Sequence, residues 1–427
     1  MSTAVLDTPR EEKTEIVKNW KNPTILSVIA VISLILLGFR APAKQVTFRL
    51  GDGIRWADIP NLQIPAVAYG WVAAVVMIAL ALFSLVLMNR GKKMPLILNV
   101  VFWFFFISGI LVWAIGSASS SNVSLVSILS GALALSIPMI FGSMGGLLCE
   151  RSGVVNIAIE GQLLFGAFSA VLVGSMTDSP WAGLLAAMIG GVLVSLILAT
   201  FSIKYLVDQT IVGVVVNVLV SGLTGFFFTR ILQANPAELN SAPKLPGFEI
   251  PVLSQIPVVG PVLFNQSVLI YLMYIVVGLI WFALNKSKWG LRTRAVGEHP
   301  KAADTLGVNV NRLRFSNVLM AGAVAGMGGA FFTLVSVSTF NADMTSGQGY
   351  IALAALIFGR WKPLGALMAS LLFGFSLQMQ FVLSGLGTTI PTELLAMLPY
   401  VVTILAVAGL VGRSRGPAAS GKPYIKG

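Results

Sequence analysis

Hydrophobic residues run along this chain in long blocks. A helix that crosses a bilayer needs about 20 mostly apolar residues. Candidate stretches are 23–39, 65–88, 95–116, 126–148, 157–176, 181–201, 211–229, 267–285, 315–337 and 393–411. A further run, 346–383, is too long for one crossing, and Gly359-Arg360-Trp361-Lys362-Pro363 breaks it. The break predicts a short or re-entrant segment over 346–359, then a full span over 364–383. The whole pattern predicts an all-α polytopic membrane protein with about 12 membrane segments.

The intervals between the blocks orient it. With the N-terminus inside, 22 of the 28 Lys and Arg fall on the inner side and six on the outer side. Positive charge favours the cytoplasmic face, so the expectation is N-in and C-in. Arg40, Lys44, Arg49 and Arg55 run against it. The first 22 residues mix both charge signs, and the first apolar run ends at Arg40 rather than a small-residue cleavage site. That run therefore reads as a retained span, not a secretory signal. The interval 230–266 holds six prolines, from Pro236 to Pro261, and reads as a folded external cap. Trp103 to Phe106 read as lipid-facing.

Composition agrees. The 427 residues are 56% hydrophobic and 10% charged, against about 25% charged in soluble domains. A soluble or disordered chain is excluded. The net charge of +12 would suggest nucleic acid in a soluble protein. Here it belongs to the membrane edges, and no nucleic-acid partner is expected. Cys149 stands alone, so no intrachain disulfide is expected, and His299 stands alone, so no metal site built from His and Cys is expected. A Ser-His-Asp triad would have to use His299.

The longest inner interval, Lys286 to Arg314, carries a net charge of +5. Gly297 permits a turn there, Pro300 suits the first turn of a helix, and Lys301 to Leu306 can form that helix. Gly307 can close it in a left-handed cap. On this pattern alone, a solvated basic loop stays open as the plainer reading.

The residues Ala302-Ala303-Asp304-Thr305-Leu306-Gly307 resemble the loop by which ABC-importer permeases dock on their ATPase. Cys149-Glu150-Arg151-Ser152-Gly153-Val154-Val155-Asn156-Ile157-Ala158-Ile159-Glu160-Gly161 resembles a signature of sugar and nucleoside permeases, relatives of ribose and branched-chain amino-acid permeases. Gly349 to Trp361 and Met397-Leu398-Pro399-Tyr400 fit the same family, and the likeness covers roughly 124–411. It is similar to one of the two unlike permeases of bacterial nucleoside importers.

The resemblance implies a plasma-membrane permease subunit that moves nucleosides. Its partners would be a second, non-identical permease, a cytoplasmic ABC ATPase and an external substrate-binding lipoprotein. ATP and magnesium would sit on the ATPase, with no cofactor on this chain. The docking loop would comprise Gly297, Glu298, Pro300, Ala302, Ala303 and Gly307. The expected divisions are a cytoplasmic segment 1–22, a three-span extension 23–116, a permease core 117–411 and a cytoplasmic tail 412–427. In that tail, Gly416-Pro417-Ala418-Ala419-Ser420-Gly421-Lys422-Pro423 falls short of a phosphate loop. Pro423 stands where Ser or Thr must hold magnesium, so a flexible basic tail is the expectation.

Polar groups inside spans are costly and mark candidate sites. Asn156 and Glu160, four apart, fall on one face of a helix starting near 155. They could hydrogen-bond a ribose hydroxyl or a base edge. They could equally brace the helix start, with Glu160 paired to Arg151. Asn217 and Gln378 are further candidates for the substrate path, or plain interhelical hydrogen bonds. Gly322-x-x-x-Gly326 reads as a packing seam. The alternatives are an ABC permease for a sugar or a branched-chain amino acid, or a secondary transporter using Glu160, Asp208 or Glu393. Those three carboxylates lie near span ends, which weakens the last.

Overall fold

A computed structural model describes residues 20–54, 59–92, 94–387, 391–397, 400–401 and 416–426. The chain forms two compact units. The first takes in the described residues up to Thr47 and Gln63–Asn122; the second takes in Phe48–Leu62 and everything from Val123 onward.

The first unit is built on α1 (Lys21–Ser33), α2 (Ala66–Asn89) and α3 (Leu96–Gly116). A π-helical stretch, Leu34–Phe39, extends α1. Its core is Leu26, Ile29, Leu37, Ala73, Met77 and Phe102. Trp103, Phe105 and Phe106 pack partly against that core, while Phe104 is exposed. The run is therefore not uniformly lipid-facing. Consecutive residues turn about 100° around a helix, so four in a row cannot share one face. Short strands β1 (Gln45–Arg49), β2 (Leu62–Pro65) and β3 (Asn122–Ser124) fall where the chain passes between the units.

The second unit carries α4 (Leu125–Arg151), α5 (Ile159–Thr177), α6 (Pro180–Ala199), α7 (Gln209–Phe227), α8 (Pro236–Leu239), α9 (Val259–Phe264) and α10 (Val268–Lys286). It continues with α11 (Lys288–Glu298), α12 (Pro300–Thr305), α13 (Val310–Phe331), α14 (Gln348–Phe358), α15 (Pro363–Gly385) and α16 (Thr392–Ala396). Helix α13 packs on α4, α5 and α6 at its centre. Small residues set that approach. A Cβ at Gly326 would strike the backbone of Ala187, and one at Gly322 would strike Gly191 and Ser195. The expected seam is thus the α6–α13 contact, where only glycine lets the backbones meet.

Among the described residues, ten helices are long and apolar enough to cross a bilayer. They match nine of the expected stretches plus the span after the Gly359–Pro363 break. The stretch 393–411 lies mostly outside the described residues. The segment ahead of the break is shorter: α14 has 11 residues, about 16 Å at 1.5 Å each, against a hydrocarbon core of about 30 Å. It cannot span.

The interval 230–266 is an ordered cap. In it β4 (Gly247–Glu249) pairs antiparallel with β5 (Asn265–Ser267), placing Phe248 opposite Gln266. Asn240 pins the cap to the bundle by donating to the Phe340 carbonyl at 3.1 Å and accepting from its N–H at 2.6 Å. Helix α7 has a side-chain cap: Asp208 accepts from Thr210 N at 2.9 Å and Ile211 N at 3.1 Å. Asp208→Ala should cost about 1 kcal/mol, read as a small fall in the thermal midpoint of the purified protein. An unchanged midpoint would mean that the cap adds nothing.

Candidate functional site

Two helices break off inside the bundle, and their ends meet. Helix α4 ends at Arg151, the buried turn Ser152–Ala158 doubles back, and α5 starts at Ile159. On the other side, α14 starts at Gln348 after the left-handed residues Asp343, Ser346 and Gly347. The first N–H groups of a helix have no partner within it and carry partial positive charge. Inside a membrane they must find an acceptor in the protein. Here it is Glu160. Its Oε1 accepts from Gly347 N at 2.8 Å and Thr345 Oγ1 at 2.6 Å, and its Oε2 accepts from Gly349 N at 2.6 Å. Gly349 is required for this contact, because a Cβ there would sit 2.5 Å from the Glu160 Cα.

Asn217 completes the join from α7. Its Oδ1 accepts from Gly161 N at 2.9 Å. Its Nδ2 donates to the Ile157 carbonyl at 2.9 Å and to the Tyr350 hydroxyl at 3.1 Å. One amide thus ties α7 to the start of α5 and to α14. Beside it, Ser221 donates to Asp343 Oδ1 at 2.6 Å. Glu160, Asn217, Ser221, Asp343, Ser346 and Tyr350 line a cavity of about 480 Å³, with Leu164 and Val218 as its apolar wall. Val218, 69% exposed on α7, and the exposed Asp343 lie on the open side of the cavity.

Of the four expected path residues, Glu160 and Asn217 come together here; Asn156 and Gln378 do not. The helix starts at Ile159 rather than near 155, so Asn156 sits in the preceding turn. It is fully buried, exchanging hydrogen bonds with Gln162 at 3.1 and 3.3 Å, and Gln162 donates onward to Ser195 at 2.8 Å. Gln378 lies against Gly131 of α4, where any Cβ would collide with its amide. The pairing of Glu160 with Arg151 is also absent. Arg151 instead donates from Nε to the Trp361 carbonyl at 2.8 Å. Glu150 Oε2 accepts from Trp361 Nε1 at 2.5 Å. The Glu-Arg pair therefore fixes the turn after α14, where Arg360 and Trp361 are both left-handed. Sequence reasoning missed Ser221, Asp343 and Tyr350. The signal for Asp343 was an acid between membrane helices, in a segment too short to leave the bilayer region for long.

The basic loop is ordered. Ser287 caps α11 by accepting from Gly290 N at 3.0 Å, and His299 separates α11 from α12. Gly297 does not make a turn; it is helical and buried in α11, and a Cβ there would strike the Arg151 carbonyl. Helix α12 closes as the spacing predicts. Gly307, at φ +82°, donates to Asp304 O at 2.8 Å, and Val308 N donates to Ala303 O at 3.1 Å. This is the two-bond Schellman closure, which needs a left-handed residue at that position. Ala303 is buried with Val296, Val310 and Tyr424, whereas Ala302 is exposed and Leu306 is 84% exposed.

The segment 416–426 is not a loose tail. Ala419 N donates to Gly297 O at 2.9 Å, and Ala418 N donates to Glu298 Oε2 at 3.2 Å. Buried Arg314 donates to the Ser152 carbonyl at 3.1 Å and to the Lys422 carbonyl at 2.9 Å. Tyr424 meets Asp304, and burial together with that carboxylate pushes its phenol up. Backbone donors in an apparently polar stretch gave no hint of these partners.

Ten candidate membrane spans, a half-helix that starts beside a cavity lined by polar and apolar side chains, and an ordered basic loop make up a polytopic helical membrane protein. Residues 128–407 match the family model described as "Branched-chain amino acid transport system / permease component", and the chain belongs to that family. It is 42% identical to the guanosine ABC transporter permease protein NupQ of Bacillus subtilis over 311 residues, 70% of this chain and 97% of that protein. It is 38% identical to the nucleoside ABC transporter permease protein NupC of Lactococcus lactis, covering 70% of this chain and 96% of that one. A putative glucose ABC transporter permease protein, TsgC13 of Haloferax volcanii, is 33% identical over 55% of this chain and 71% of its own length. No solved structure matches.

Proposed function

We propose that this chain is the nucleoside-conducting permease subunit of an ABC importer, with its N-terminus and basic loop in the cytoplasm. The observation that carries the path is the cavity at the joined ends of α5 and α14. Its hydroxyls and Asp343 carboxylate suit the hydroxyls of a ribose, and the Leu164–Val218 wall suits the flat face of a base. The open side of the cavity would be closed by a second, non-identical permease, since an exposed acid such as Asp343 is costly against lipid. Gly297, Glu298, Pro300, Ala302, Ala303 and Gly307 would form the docking element for a cytoplasmic ATPase, which would hold ATP and magnesium. An external lipoprotein would deliver substrate, and this chain would bind no cofactor.

The nucleoside assignment draws on the printed names of NupQ and NupC. A sugar is the second reading, favoured by TsgC13 and by the same hydroxyl-binding groups. Two of the three carboxylates considered for an ion-driven mechanism are engaged as helix caps, Glu160 on α14 and Asp208 on α7, which counts against that reading. Uptake of labelled guanosine, adenosine, uridine and glucose should be compared in cells with and without this chain. Loss of nucleoside uptake alone is expected. Loss of glucose uptake with every nucleoside unchanged would overturn the assignment.

A further inference from the structure

We propose that the segment 416–426 is half of the ATPase-docking surface: with α12 it forms a groove that takes an acidic, apolar-tipped segment of the ATPase. The proposal rests on the docking role assigned above to the basic loop.

The groove measures about 690 Å³. One wall comes from His299, Lys301 and Ala302, the other from Lys422, Pro423 and Ile425. The two walls are fixed to each other. Tyr424 is buried with Ala303 under the groove floor, and the Ala419–Gly297 and Ala418–Glu298 hydrogen bonds hold the start of the segment to the end of α11. Arg314 ties the same segment to the Ser152 turn. Whatever grips α12 therefore also meets this strap, and a push on either passes to the turn between α4 and α5.

The groove's chemistry selects its occupant. Glu298 accepts a hydrogen bond from the strap, while Lys301 and Lys422 are exposed on opposite walls. Ile425 is 69% exposed on the strap wall and so is open to an apolar side chain of a partner. A carboxylate-bearing helix end or loop with one protruding apolar side chain matches both features. Such charge complementarity would act mainly on association and would weaken with salt.

The test uses the complete importer in proteoliposomes, with the ATPase stripped off and titrated back. Three variants at exposed positions are compared: Ile425→Asp, Lys422→Glu, and Leu306→Asp on α12 as the reference. Ile425→Asp and Lys422→Glu should each weaken ATPase rebinding by about tenfold, equivalent to about 1.4 kcal/mol. The Lys422→Glu loss should shrink as salt is raised. If Leu306→Asp weakens rebinding while both strap variants rebind like the parent, the strap has no part in docking and this proposal fails alone. If all three rebind like the parent, the docking role of the basic loop fails with it.

Discussion

Glu160→Ala is expected to give a protein that is assembled poorly and transports no nucleoside. The Glu160 carboxylate accepts all three hydrogen bonds that close the start of α14, from Gly347, Gly349 and Thr345. Alanine leaves two backbone N–H groups without an acceptor in a place where water is scarce. Each buried orphan donor costs about 1–3 kcal/mol, so the loss should be at least about 2 kcal/mol. The favourable interaction of an anion with the helix end, about 0.3–1 kcal/mol, disappears as well. Glu160→Gln separates these terms, because its amide oxygen can still accept from one side while the charge is gone. The thermal midpoint should fall in the order parent, Gln, Ala. An Ala variant with parental midpoint and parental uptake would show that α14 is held by something else.

Ala303→Glu should uncouple the importer without unfolding it. Ala303 is 3% exposed and packs with Val296, Val310 and Tyr424 in a cluster separate from the main bundle core. A glutamate there would bury an unpaired charge beside Asp304, at a cost of several kcal/mol. Helix α12 would leave its seat to solvate that charge, while the interleaved α4, α5, α6 and α13 would keep their packing. Substrate-stimulated ATP hydrolysis should be lost, with the thermal midpoint of the bundle little changed and basal hydrolysis by the ATPase intact. Ala303→Ser, which buries only a hydroxyl, should retain most of the stimulation. Full stimulation in the glutamate variant would reject the docking role of α12.

What the sequence made legible divides by range. Spans follow from run length and hydropathy, so α2, α6 and α10 lie within a few residues of expectation. The closure of α12 was equally local, since Gly307 and its two bonds lie within one turn. The short α14 was also legible, from the Gly359–Pro363 break. The partners of Glu160 were not. They lie 185 to 189 residues away, and Arg151, the nearby cation, turned instead to the Trp361 carbonyl. Asn156 failed for a smaller reason: the helix starts about four residues late, which moves it from a helical face into a turn. Gly297 was read as permitting a turn because glycine so often marks one, but its missing Cβ serves close approach to Arg151. The strap at 416–426 was opaque because its grip is mostly through backbone atoms, which every sequence carries.

The half-helix also bears on how the protein is made. A segment too short to cross the bilayer gives the insertion machinery little reason to place it there. Its uncapped N–H groups would resist entry into lipid on their own. The acceptor they need, on α5, is synthesised nearly 190 residues earlier. Burial of α14 is therefore expected to be a late, post-insertional event that waits for α5 to pack. A nascent chain arrested far enough beyond Gly359 for α14 to have cleared the ribosome should leave residues 348–358 open to labelling, and the finished protein should protect them.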